Sequence, residues 1–158
     1  MENVDPEDCA PYQNVVLMVR TNDSTKKTLH HQADIQKLIK VYKKKLDDVR
    51  KLNPRCRIFI VPVIPSRAQE DVDKINYFNG LIARQLVQHF PRLFIVLGMH
   101  EFSDVRGSLA GRYDTGDRTG LQLNTKGIRV WQDILSQLSF RLSLWGGRYT
   151  ATGFSAAQ

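Results

Sequence analysis

Val15-Val16-Leu17-Met18-Val19-Arg20-Thr21-Asn22-Asp23 is the stretch whose reading decides the fold. Five apolar residues run without a break, and the chain then turns polar at an Asn-Asp pair that favours a turn. A short unbroken apolar run is the pattern of a strand covered on both faces of a sheet. Two further runs share it, from Arg57 to Ile64 and from Arg92 to Leu97. With Asn14 to Val19 they read as three buried parallel strands, each bounded by Pro, Gly, Asn or Asp.

Helical patterns follow each strand. Ile35, Leu38, Ile39, Tyr42, Leu46 and Val49 recur at three- and four-residue steps and make one apolar stripe. Asp34 suits the start of that helix, and Asn53-Pro54 stops it. A second helix is expected from about Gln69 to His89, with Val72, Ile75, Leu81, Ile82, Leu86 and Val87 inward. Pro91 prevents its continuation. A third is expected from about Thr125 to Leu144, with Ile128, Trp131, Ile134, Leu135, Leu138 and Leu142 inward. The order β-α-β-α-β-loop-α calls for a parallel sheet with right-handed crossovers. The loop from Met99 to Leu123 has no clear period, and loops of that length are usually functional.

The 158 residues make one domain, and a hydrophobic content of 42% is too high for a disordered chain. No apolar run is long enough to span a bilayer, so no membrane association is expected. Met1 to Asp8 is acidic and does not read as a secretory leader. Cys9 and Cys56 are isolated thiols, which fit a reducing, cytoplasmic setting. The net charge of +7 is concentrated: Ser24 to Asn53 holds nine Lys/Arg against three acids. Such a segment can attract a polyanion.

A second motif lies about a hundred residues after the first: Thr119-Gly120-Leu121-Gln122-Leu123-Asn124-Thr125-Lys126-Gly127. The two together resemble two of the four signature blocks of the SGNH (GDSL-type) hydrolases, a family of esterases, lipases and deacetylases. Val61-Pro62-Val63-Ile64-Pro65-Ser66-Arg67 with Asn79-Gly80-Leu81-Ile82 is similar to the strand-loop-helix of the esterase-like branch. Phe102-Ser103-Asp104-Val105-Arg106-Gly107-Ser108-Leu109 is similar to the segment leading into the last block. The resemblance covers roughly Val15 to Leu138. It implies a three-layer α/β/α fold of flavodoxin-like SGNH topology, here without the N-terminal strands.

The resemblance also assigns roles. The family block Gly-x-Asn-Asp corresponds to Arg20-Thr21-Asn22-Asp23, which puts Asn22 at the oxyanion position and Arg20 in place of a glycine. The last block normally reads Asp-x-x-His-Leu-x-x-x-Gly. Thr119 then occupies the position of the family Asp and Gln122 that of the family His, while Leu123 and Gly127 match. A Gln side chain hydrogen-bonds but cannot take up a proton near neutral pH. The Gly-Asp-Ser nucleophile block is expected upstream, and the residues before Val15 contain no Ser.

Other residues are weighed beside these. His100, after the third strand, is an outside candidate for the base. Ser24, Ser66, Ser103 and Ser108 lie in no nucleophile motif. His30-His31 lack the partners of a metal site, so neither metal nor cofactor is expected. Lys37, Lys40, Lys44 and Lys51 share one arc opposite the apolar stripe, a candidate surface for RNA or another polyanion; a solvated outer face is the plain reading. Arg20 and Arg67 could add anion contacts in the crevice at the strand ends.

The chain divides into an N-terminal extension (1–13), an SGNH hydrolase-like domain (14–145) and a flexible tail (146–158). The expected function is a catalytically inactive SGNH-like domain used for binding. Esterase-like domains of this kind occur in open reading frames of some retroelements, and the resemblance extends to such an origin. The alternative is a serine esterase whose nucleophile-bearing segment is missing from the chain. With no neighbour, the first strand would be a hydrophobic edge open to a partner or a second copy.

Overall fold

The computed structural model describes residues 4–19, 31–96, 98–118, 122–145 and 149–152, with side chains up to residue 138. The chain order is α1 (Pro6–Cys9), β1 (Asn14–Met18), α2 (Gln32–Leu52), β2 (Arg57–Val61), α3 (Gln69–Ile82), β3 (Leu93–Ile95), α4 (Thr125–Trp145) and β4 (Tyr149–Thr152). The α/β alternation read from the sequence is therefore present. The strands are shorter than their apolar runs: β2 stops at Val61 and β3 at Ile95.

Alternation along the strands sorts the core into two layers. Val15, Leu17, Ile58 and Ile60 face α2 and α3, together with Val19 beyond the end of β1. Val16, Phe59 and Val61 point to the other side, where Trp131 of α4 covers them. On α2 the buried side chains are Ile35, Leu38, Ile39, Tyr42, Leu46 and Val49, the stripe expected from spacing. Burial of each such side chain contributes about 1.5–3 kcal/mol before chain entropy is set against it. The helix ends at Asn53, whose N–H donates to the Val49 carbonyl, because Pro54 cannot extend it.

α3 runs to Ile82 and continues as a π-helical turn over Ala83–Val87, so the helix expected to His89 is broken in kind before that residue. Its buried set includes Phe78. On α4, Ile128 is 42% exposed rather than inward. Gly127 takes the buried position: a Cβ there would lie 3.0 Å from the Leu123 side chain. That close approach explains the Leu-x-x-x-Gly spacing in physical terms, since only glycine lets the first turn of α4 sit on Leu123.

Three expectations need correction. Residues 4–13 are not merely an extension: Val4 and Cys9 belong to the core beneath α2, and Asp5 caps α1 by accepting from the Glu7 N–H at 3.0 Å. Residues 149–152, read as tail, form β4. Nor is β1 an edge. The sheet order is β3-β2-β1-β4, all parallel, with Asn14 opposite both Arg57 and Tyr149. β1 is apolar on both faces because a core layer covers each, and both of its edges are paired by a strand. The short Tyr-Thr-Ala-Thr run escapes a sequence reading because it carries too little apolar content to look like a buried strand.

Candidate functional site

From β1 the chain steps outward to β2 and β3, and then α4 carries it back across the sheet to β4 beside β1. Strand order thus reverses between β1 and β4. In open parallel sheets ligands bind outside the carboxyl ends of the strands at such a reversal. Arg20 and Asn22 follow β1 in sequence but lie outside the described residues, as does Thr119. Met18 at the end of β1 is partly buried on the α4 side.

Gln122 is exposed, three residues before the first residue of α4. Its carbonyl accepts from the Thr115 N–H at 3.3 Å. Asn124 builds the start of that helix: its side-chain oxygen accepts from the Gly127 N–H at 3.1 Å, and its amide donates to the Arg112 carbonyl at 2.9 Å. The turn that carries Gln122 is therefore well anchored, and the side chain it presents is an amide.

Arg67, expected to face an anion, is already engaged. It pairs with Asp114 at 3.0 Å and donates to the Asp117 carbonyl. Asp114 is nearly buried, with 9% of its side chain exposed, and also accepts from the Gly116 N–H at 2.9 Å. The pair ties the loop after β2 to the segment leading into Gln122.

His100 lies on a 3₁₀ turn, Met99–Phe102, beyond β3. With Val63, Val72, Asn76, Met99 and Ser103 it lines a cleft of about 190 Å³ against α3. Its ring makes no hydrogen bond or ion pair among the described residues, and its link to Ser103 is backbone, Ser103 N–H to the His100 carbonyl at 3.0 Å. Of the other candidate serines, Ser66 and Ser108 have other partners. Ser66 is fully buried, bonds the Asp71 carboxylate at 3.2 Å and accepts from the Ala68 N–H at 3.1 Å. Ser108 donates to Gln69 at 2.9 Å. Neither has an imidazole beside it, and a hydroxyl without a base in reach is a poor nucleophile. Ser24 lies outside the described residues.

On α2, three of the four lysines read as a stripe face carboxylates of their own helix. Lys37 meets Asp34 at 3.6 Å, Lys44 meets Asp48 at 3.0 Å and Lys51 meets Asp48 at 3.8 Å. The hydrogen bond from Lys44 holds the Asp48 carboxyl below its ordinary value. Lys40 has no such partner among the described residues. Such exposed pairs add little stability, but they cut the net charge the face presents. Lys45 is drawn inward to the Val4 carbonyl at 2.7 Å. Among the described residues no group of His, Cys, Asp or Glu could hold a metal ion, and no helix is long and apolar enough to cross a membrane.

The sequence reading missed the buried Ser66–Asp71 pair and a group of arginines at the opposite end of the sheet. The available signal for the pair was the place of Ser66 five residues before Asp71, just ahead of a helix. The arginines are too scattered along the chain to give one.

No protein-family model and no curated protein sequence matches the chain. Solved structures do. A protein described as a platelet activating factor from Streptococcus pneumonia aligns over 80% of this chain and 59% of its own, with a TM-score of 0.64 and 18% identity. A carbohydrate esterase family 3 structure from Talaromyces cellulolyticus aligns over 82% of this chain and 58% of its own, with a TM-score of 0.53 and 19% identity. The chain thus spans under two thirds of the length of either. At such identities the likeness is one of fold, and the fold is the α/β architecture of SGNH-type hydrolases.

Proposed function

We propose that this chain is an SGNH-hydrolase-like domain that does not hydrolyse esters and instead binds a polyanion, RNA in the first place. The observation that carries the reading is Gln122. An amide stands at the position where the family resemblance expects the general base, on a turn fixed by Asn124. An imidazole can take a proton from a hydroxyl and return it to the leaving group; an amide can do neither at neutral pH. The His100 ring makes no hydrogen bond to a described serine hydroxyl, which supports the same reading. The concentrated positive charge supports the binding role.

The second reading is a serine ester hydrolase whose nucleophile comes from another segment. The esterase described for the Talaromyces structure favours it. Incubation with p-nitrophenyl acetate separates the two. Release of p-nitrophenolate by the pure protein is expected to match the buffer rate. Turnover that disappears in Gln122→Ala or His100→Ala would establish an active hydrolase and end the first reading.

A further inference from the structure

Arg50 near the end of α2, Arg55 in the turn before β2 and Arg92 just before β3 converge at the amino ends of β2 and β3. Arg50 donates through its two terminal nitrogens to the Cys56 and Pro91 carbonyls. Its Nε is buried and has no hydrogen-bond partner. Arg92 donates to the Arg55 carbonyl at 3.0 Å. The Arg55 side chain is exposed and has no hydrogen bond or ion pair among the described residues.

Backbone carbonyls hold the Arg50 and Arg92 guanidiniums in place but carry no unit charge to cancel theirs. None of the three guanidiniums has a carboxylate within ion-pair distance among the described residues. Burial pushes the Arg50 guanidinium below its ordinary value; the Cys56 thiol opposes this and the charge of Arg92 adds to it. Arg92 also sits at a φ of 58°, a left-handed conformation that a residue with a Cβ seldom adopts. Among the described residues the fold thus gathers like charges without a counter-charge.

We propose that Arg50, Arg55 and Arg92 form a docking surface for the phosphodiester backbone of a nucleic acid, at the end of the sheet away from the hydrolase-like crevice. The inference rests on the polyanion reading above and relocates the surface that carries it. Charge complementarity names the occupant. The guanidinium fork matches phosphate oxygens, and arginine gives up its hydration more readily than lysine. Arg55 and Arg92 are exposed on separate loops, so an extended chain of phosphates can reach both. On α2, by contrast, three of the four stripe lysines already face Asp34 or Asp48, which cancel two of their charges. Recognition through backbone phosphates predicts little preference for base sequence.

The test is fluorescence anisotropy of the whole chain with a labelled twenty-nucleotide oligouridylate between 50 and 200 mM NaCl. The wild type is expected to bind with steep salt dependence. The double variant Arg55→Gln/Arg92→Gln is expected to bind at least tenfold more weakly at 50 mM. Its log–log salt slope should flatten by roughly 1.4, at about 0.7 for each single-strand phosphate that is no longer neutralised. Neutralising Lys37, Lys44 and Lys51 to Gln should weaken binding less. The single variant Arg55→Gln removes no hydrogen bond of the described fold, so it should keep the wild-type Tm while still binding more weakly. Wild-type affinity in both arginine variants overturns this surface and leaves the polyanion reading standing. Failure of the wild type to bind at all overturns both. Competition by polyglutamate as effective as by unlabelled oligouridylate, at equal charge, overturns the assignment to a nucleic acid.

Discussion

The two ends of the sheet treat charge in opposite ways. Beyond the carboxyl ends of β2 and β3, Arg67 is matched by Asp114 and the Asp71 carboxylate is bonded by Ser66. The Asp104 carboxylate likewise accepts from the Arg106 and Ser108 N–H groups. At the amino ends, Arg50 and Arg92 lean on carbonyl oxygens, and Arg55 on no described group. The first arrangement stabilises a loop, because each buried charge has its partner. The second stabilises little and leaves a positive field outside. Among the described residues, the carboxyl end thus neutralises its own charges, while the amino end leaves three arginines without a carboxylate.

The largest test of that contrast removes the packing that holds the carboxyl end together. Phe102 is fully buried, with ring centroids 6.0 Å from both Tyr113 and Trp131. Phe102→Ala should cost about 3–5 kcal/mol by urea denaturation. A loss near zero would mean that this end is not built on its aromatic centre.

A smaller effect sharpens the charge comparison itself. Asp114→Ala strands Arg67 and should cost about 1–2 kcal/mol, discounted because Arg67 is 43% exposed. Arg55→Gln, at the other end, should fall within about 0.5 kcal/mol of the wild type. Equal losses at the two positions would erase the distinction.

The smallest expected effect is a slope with pH. Cys9 is fully buried, and burial chiefly, with the Cys56 thiol, Asp8 and Asp5 adding, pushes its thiol up to about 11. Cys56 moves the same way by burial, opposed by Arg50 and Arg57. A raised thiol value means the folded chain keeps a proton that the unfolded chain releases from about pH 9. Stability is therefore complete below about pH 9 and declines as pH rises toward about 11. Tm followed across that range should fall in the wild type and fall less in Cys9→Ala. A slope unchanged by the substitution would show that the decline has another source.

Much of the fold was legible because its cues are local. The six buried residues of α2 follow from spacing alone, and β1 follows from five apolar residues in a row. What escaped depends on distant segments. β4 is visible only once β1 is seen to need a neighbour, since Tyr149-Thr150-Ala151-Thr152 is weak in isolation. Ile128 lies on the expected apolar arc, yet the close approach of Gly127 to Leu123 turns that part of α4 outward. At the candidate site, Gln122 was singled out by the family resemblance alone. The engagement of Arg67 was not legible, because Asp114 stands forty-seven residues away. The arginine group was equally hidden: Arg55 and Arg92 meet across thirty-seven residues.

The pairing of β4 with β1 ties Asn14 to Tyr149, nearly the two extremes of the described chain. A ribosome delivers β4 well after β1, at about 5–20 residues per second. For several seconds the nascent protein carries β1 with one flank unpaired, and completion of the sheet waits on the four-residue β4. Loss of even those few residues would leave a template for clumping in place of a closed sheet.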